Sequence, residues 1–260
     1  MSNPTIAVVT AGMGEPSTTN LLGENLAQAT EAALSQAGLQ ATTFTPIALR
    51  ALAKDITNHY LTGFPLGGLA TALDQVREAD ALIVVSPVFK ASYSGLFKSF
   101  WDLVEDGSLA GKPVLIAATG GTARHSLMLE TAMRPLFSYL KANVAPSGVF
   151  AATDDFGTDS TLSSRVTKAA DEFAQLVLWR IGAATQGRQD LQSSAPLATA
   201  GGAALTKSPS HSAQDVNAGS FFGILDEKRG GSTSQTQYKA PGLEALSVTP
   251  FEELLQRNGQ

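Results

Sequence analysis

Short runs of consecutive apolar residues alternate along this chain with longer stretches in which apolar positions return every three or four residues. Ile6-Ala7-Val8-Val9 is the first run and predicts a buried strand; Leu22, Leu26, Ala29 and Ala33 follow at steps of four, three and four, a helical spacing that Gly38 closes. A second, less apolar strand is expected over 40–45. Leu69, Leu73 and Val76 then mark a helix ending near Asp80, and Ala81-Leu82-Ile83-Val84-Val85 is the strongest strand signal in the chain. Leu96, Phe97, Phe100, Trp101 and Val104 form the next helix face, residues 113–118 another fully apolar strand, residues 125–140 a helix and residues 144–150 a fifth strand. Leu162, Val166, Ala169, Phe173 and Leu176 share one face of a final helix. Strands that read as continuous apolar runs, separated by helices, predict an α/β fold with a parallel sheet covered on both faces. Right-handed crossovers leave few doubly wound arrangements. With the first, third and fourth strands the most apolar, the flavodoxin-like order 2-1-3-4-5 follows.

After Gly182 the pattern fades. Residues 183–240 are rich in Ala, Ser, Thr, Gln and Gly, as expected of a flexible tail. Phe221-Phe222-Gly223-Ile224-Leu225 interrupts them. Residues 241–260 hold Thr249-Pro250-Phe251-Glu252-Glu253-Leu254-Leu255, a short helix with a threonine cap, proline at the first position and acids in the first turn. Such a helix needs a surface to dock on. The expected division is therefore 1–182, 183–240 and 241–260.

Composition narrows the function classes. A net charge of −5 leaves no basic surplus for nucleic acid, and no apolar run approaches the roughly eighteen residues of a membrane span. The start of the chain lacks the basic and apolar segments of a signal peptide. Cysteine is absent, which removes thiolate chemistry and fits a reducing, cytoplasmic setting. His59 and His211 have no partners at metal-ligand spacing, so no metal site is expected.

In an open parallel sheet the ligand site lies beyond the carboxyl ends of the strands, where the strand order reverses. Three loops meet there. The first carries Gly12, Met13, Gly14, Glu15 and Pro16, then Ser17, Thr18 and Thr19 at a helix start, where free N–H groups and hydroxyls can cradle a phosphate. A cap needs only one of those hydroxyls. Gly12-Met13-Gly14-Glu15-Pro16-Ser17 departs from the dinucleotide fingerprint in its last glycine, and no lysine completes a P-loop. The acids of a phospho-acceptor site are likewise missing. The second loop runs from Ser86 through Pro87, Val88, Phe89, Lys90, Tyr93, Ser94 and Gly95. Its two aromatic rings either face a flat ligand or pack on the scaffold. The third holds Gly120, Gly121, Thr122 and His125, where paired glycines permit close backbone approach.

The Ser/Thr loop after strand one, Ser86-Pro87-Val88-Phe89 through Tyr93-Ser94-Gly95-Leu96-Phe97-Lys98, and Thr119-Gly120-Gly121-Thr122 together resemble the NADPH-dependent FMN reductases, nearest to those serving luciferase-like and alkanesulfonate monooxygenases. The resemblance covers about 5–182 and is most specific over 87–102. It implies that Gly12, Ser17, Thr18 and Thr19 hold the FMN phosphate, that Pro87, Val88, Phe89, Lys90, Tyr93, Ser94 and Gly95 run along the isoalloxazine, and that Gly120, Gly121, Thr122 and His125 border the ring. It further implies NADPH or NADH as hydride donor, a homodimer or homotetramer, no catalytic acid or base, and a flavin-dependent monooxygenase as recipient. Glu15-Pro16 departs from the family, in which many members carry an arginine in this loop; that points to weaker phosphate binding and flavin handled as a substrate. A quinone or azo reductase that keeps its FMN, and a flavodoxin-type electron carrier, are the alternatives on the same fold.

Overall fold

Extended runs such as Ile6–Val9 satisfy their backbone by pairing with neighbours, and seven strands do so among the described residues. The computed structural model describes residues 3–39, 41–157 and 160–193. In chain order these form β1 (Thr5–Thr10), α1 (Thr18–Gln36), β2 (Thr43–Ala48), α2 (Ala53–Thr62), α3 (Gly67–Glu78), β3 (Ala81–Phe89), β4 (Ser92–Tyr93), α4 (Gly95–Trp101), β5 (Pro113–Gly120), α5 (Arg134–Tyr139), β6 (Asn143–Val144), β7 (Val149–Ala152) and α6 (Ser160–Ser193). The parallel sheet runs β2-β1-β3-β5, with β6 and β7 both on the outer side of β5. The expected order 2-1-3-4-5 is present, its fifth strand in two pieces.

Side chains of the central strands alternate between two cores. Ala7, Val9, Leu82, Val84, Val114 and Ile116 pack with residues of α2 to α5. Ile6, Val8, Ile83, Val85, Leu115 and Ala117 pack with Leu22, Leu26 and Leu34 of α1 and with Leu162, Val166, Ala169 and Phe173 of α6. Both faces are therefore dry, which is why these strands lack the polar alternation of a half-exposed sheet. The first core is strongly aromatic. Trp101 stands edge-on to Phe137 at 4.8 Å between centroids and to Phe100 at 5.3 Å, and Phe97 joins them.

Several boundaries differ from the sequence expectation. β2 begins at Thr43 and runs to Ala48, past the expected 40–45, and it takes in Pro46 opposite Val8. Helix α2 was not marked by any apolar repeat; Ile56 is its one fully buried residue. The expected helix over 125–140 divides into a 3-10 turn (Ala123–His125), a π-turn (Leu129–Met133) and α5. In the fifth strand, the register against β5 slips by two residues between Val144 and Val149. Pro146, with no N–H for a ladder, lies in that interruption. The break is held from both sides: Arg134 donates to Ala145 O and Pro146 O at 2.9 Å, and Glu172 accepts from the Ser147 N–H at 2.8 Å.

Helix α6 continues past Gly182 to Ser193. The first part of the expected flexible tail of 183–240 is thus helical, because α6 runs on through its Ala- and Gln-rich residues. The rest of that tail from 194 on, the Phe221–Leu225 island and the helix near 249–255 lie outside the described residues. No described helix is long and apolar enough to cross a membrane.

Candidate functional site

At the carboxyl ends of β1, β3 and β5 the chain leaves a cleft of about 270 Å³. Its lining is Met13, Gly14, Pro16, Ser17, Thr18, Thr19, Pro87, Val88, Phe89, Thr119, Gly120, Gly121, Thr153 and Phe156.

The loop after β1 turns into α1 at Ser17, whose Oγ accepts from the Asn20 N–H at 3.2 Å and caps the helix. Thr19 is buried and its hydroxyl lies 2.8 Å from that of Thr119, tying α1 to the end of β5. Thr18 is exposed, and its hydroxyl is without a partner among the described residues. The three hydroxyls of the sequence thus divide into a cap, a crosslink and one free group. The N–H groups of Thr18 and Thr19 at the positive end of α1 have no intrahelical acceptor. Gly12 makes the turn possible by proximity alone. A Cβ there would stand 2.0 Å from Ser17 Oγ and 2.8 Å from Asn20 Oδ1. Glu15, at the exposed tip, is paired at 2.5 Å with Arg50 in the 3-10 turn after β2, so the acid in the loop is balanced by a cation from another segment.

The second wall is not the loop the sequence suggests. β3 continues to Phe89, turns through Lys90 and Ala91, and returns as β4, with Phe89 opposite Ser92 and Val88 opposite Tyr93. Lys90 (φ 50) and Ala91 (φ 66) are both left-handed, as a two-residue turn of this kind requires. Neither is glycine, so the turn holds strain beside the cleft. Ser86 Oγ accepts from the Ser94 N–H at 3.0 Å, and Ser94 Oγ caps α4 by accepting from the Phe97 N–H at 3.2 Å. Tyr93 packs on Phe97 at 5.7 Å, on the scaffold. Phe89 is 47% exposed and lines the cleft.

The third wall is Thr119, Gly120 and Gly121. A Cβ on Gly120 would meet the tip of the Phe150 ring at 2.9 Å, so glycine lets β5 pass over that ring without displacing it.

Of the residues nominated from sequence, Ser17, Thr18, Thr19, Pro87, Val88, Phe89, Gly120 and Gly121 line the cleft together, and Gly12, in the first loop, packs against Ser17. Lys90, Tyr93, Ser94, Gly95, Thr122 and His125 do not line it. Lys90 turns the hairpin, Tyr93 and Ser94 fasten it, Gly95 opens α4, and Thr122 and His125 are exposed at a 3-10 turn. The sequence reading missed Met13, Gly14 and Pro16 as lining residues, and also Thr119, Thr153 and Phe156. Thr119 was legible as the residue before a glycine pair. Thr153 and Phe156 follow the fifth strand, where no motif marks them. Among the described residues no cluster of His, Cys, Asp or Glu could hold a metal ion.

Comparison with known proteins agrees with this geometry. Residues 4–157 match the family model described as NADPH-dependent FMN reductase. An FMN reductase (NADPH) of Pseudomonas aeruginosa is 44% identical over 112 residues, 42% of this chain and 60% of that protein. An NADH-dependent FMN reductase, SfnF, of Pseudomonas putida is 49% identical over 84 residues, 32% of this chain and 45% of that protein. The matched stretch thus spans about half to three-fifths of these curated relatives. The structure of an oxidoreductase from Corynebacterium diphtheriae superposes with a TM-score of 0.66 at 41% identity, over 68% of this chain and 98% of that one. A parallel sheet in flavodoxin-like order, a Ser/Thr-lined helix start facing a glycine pair across one cleft, and a family match over those same residues have a single explanation: the chain belongs to the NADPH-dependent FMN reductase family.

Proposed function

We propose that the protein is an NAD(P)H-dependent FMN reductase that treats FMN as a substrate and releases it reduced. The observation that carries the reading is the one cleft in which unpartnered N–H groups at the start of α1 adjoin Pro87–Phe89 and Gly120–Gly121. The residues fit the molecule. A phosphate would accept from the Thr18 and Thr19 N–H groups and the Thr18 hydroxyl at the positive end of a long helix. The absent Cβ of Gly12 leaves that loop tight enough to present them. Val88 and Phe89, side by side with the glycine pair on the neighbouring strand, offer a surface that suits a flat ring.

Bound flavin supplies the ring that takes up hydride from the nicotinamide. The protein's share is orientation and exclusion of water. Among the described residues lining the cleft there is no Asp, Glu, His, Lys or Arg, and the role this reading gives the lining is to position both substrates. The reduced product would pass to a flavin-dependent monooxygenase in the cytoplasm, and the reductase would act as a homodimer or homotetramer.

The test is NADPH and NADH oxidation by the flavin-stripped protein as FMN is titrated. Saturable FMN dependence in the micromolar range with release of reduced flavin is the expected result. A flavin that stays bound through turnover would instead mark a quinone or azo reductase, and absence of turnover by folded protein would refute the reading.

The Glu15–Arg50 pair gives a second expectation. Glu15→Gln removes an acid beside the phosphate loop and frees Arg50. An electrostatic gain of roughly 0.3–1 kcal/mol should tighten FMN binding about two- to fivefold, with the larger effect at low salt. Titration of flavin fluorescence at two ionic strengths checks it; unchanged affinity at both would show that Glu15 does not act on the ligand.

A further inference from the structure

We propose that the turn Thr153–Phe156 is a fourth wall of the flavin cleft and that Asp155 and Arg165 are the positioning residues that hold it there. The inference rests on the flavin reading above. Ala152, the last residue of β7, lies opposite Gly120 in the sheet. The 3-10 turn that follows, Thr153–Phe156, therefore emerges level with the glycine pair, and Thr153 and Phe156 face the same cleft as Thr18 and Gly121.

Three links fix this turn. The Ala152 N–H donates to Asp155 Oδ2 at 2.7 Å, closing the turn on itself. The Arg165 guanidinium, on α6, pairs with Asp155 Oδ1 at 2.8 Å. The same guanidinium donates to Phe150 O at 2.8 Å. One side chain thus ties the end of β7, the turn and α6 together. Arg165 and Asp155 do not line the cleft themselves. Burial alone would raise the Asp155 carboxyl, but the Ala152 amide and Arg165 outweigh it and hold it below the usual carboxylate range, so the pair is intact at neutral pH.

The two groups presented have complementary chemistry. Thr153 brings a hydroxyl with no partner among the described residues, suited to a hydroxylated chain. Phe156 brings an aromatic ring, suited to apolar or flat surface. A ligand carrying a phosphate, a polyol chain and a ring would meet a hydrogen-bonding group at each polar part.

The experiment compares Arg165→Ala, Arg165→Lys and Phe156→Ala with the parent full-length chain, by FMN fluorescence titration and by steady-state kinetics. Loss of a charge-assisted link that positions the wall should raise Kd and KM for FMN about tenfold in Arg165→Ala. The kcat at saturating FMN and the KM for NADPH should stay within about twofold, a split that general destabilisation would not produce. Arg165→Lys keeps the pairing with Asp155 and should recover part of the loss. Phe156→Ala leaves the pair in place and tests the wall directly, by a matching rise in Kd for FMN, even if an Arg165 variant fails to fold. Parent-like FMN affinity in both Arg165→Ala and Phe156→Ala overturns the inference while leaving the flavin reading intact. A parent protein that binds no FMN at all overturns both.

Discussion

Gly12→Ala is expected to weaken FMN binding about a hundredfold, the free-energy equivalent of losing two charge-assisted hydrogen bonds. The added methyl would sit 2.0 Å from Ser17 Oγ, closer than any two such atoms approach, and 2.8 Å from Asn20 Oδ1. The Ser17 side chain must give way, and it is the cap of α1, so the helix start loses the bond that fixes it. Stability should fall by about 1–2 kcal/mol through the lost cap, a loss the fold tolerates. The N–H groups of Thr18 and Thr19 lose their alignment, which is where the larger effect on the ligand arises. Gly95→Ala is the contrast. Gly95 was nominated from sequence too, but a Cβ there meets nothing within 4 Å, and FMN affinity should be unchanged. Fluorescence titration of both variants, with thermal melts as controls, decides the matter. Parent-like affinity in Gly12→Ala would show that phosphate does not use this loop.

The second large effect concerns stability. Lys112 precedes β5 and is 2% exposed, with its Nζ donating to Val76 O at 2.8 Å and Arg77 O at 2.9 Å, the last turn of α3. It satisfies carbonyls that the helix end cannot, and it does so inside the protein. Burial, with Arg180 adding to it, pushes its pKa down from 10.5 to about 8. Between pH 8 and 10.5 the unfolded chain holds a proton that the folded chain has given up, so stability rises with pH across that window. At about 1.4 kcal/mol per unit the rise amounts to roughly 3 kcal/mol. A neutral amine has two N–H donors, enough for both carbonyls. Lys112→Met removes the titration and the donors together. The variant should therefore be distinctly less stable than the parent near pH 10.5, and the gap should shrink by about 3 kcal/mol towards pH 7. Urea unfolding of both proteins across this range tests it, because other titrating groups cancel in the difference. A gap independent of pH would mean that Lys112 is charged in the folded state throughout.

The sheet was legible because its three central strands are buried on both sides and carry their few polar residues, Thr5, Thr10, Ser86 and Thr119, outside the continuous apolar runs. β2 was placed too early because Thr43, Thr45 and Pro46 give it no apolar run, and its position depends on pairing with β1. Helix α2 buries little beyond Ile56 and so lacks a readable stripe. The strand–turn–strand at 88–93 was invisible because its left-handed turn is made by Lys90 and Ala91, without the asparagine or glycine that announces such turns. In the site, local chemistry was visible and distant pairing was not. The row Ser17-Thr18-Thr19 could be read as hydroxyls near a helix start. That Thr19 is engaged with Thr119, a hundred residues away, is a product of the fold. Thr153 and Phe156 went unnoticed for the same reason: the turn that presents them depends on an arginine in the following helix.

Proline in the outer strands bears on what this protein can join. The sheet of the described residues ends in β2 on one side and in the divided β6 and β7 on the other. β2 contains Pro46, and Pro146 falls in the break of the other. Each border lacks an amide donor partway along, and one also changes register there, so a foreign strand could not zip along either for more than a few residues. The described sheet is thereby guarded against cross-β self-association at its borders. Assemblies of these described residues must then be built through helices and loops rather than by continuing the sheet.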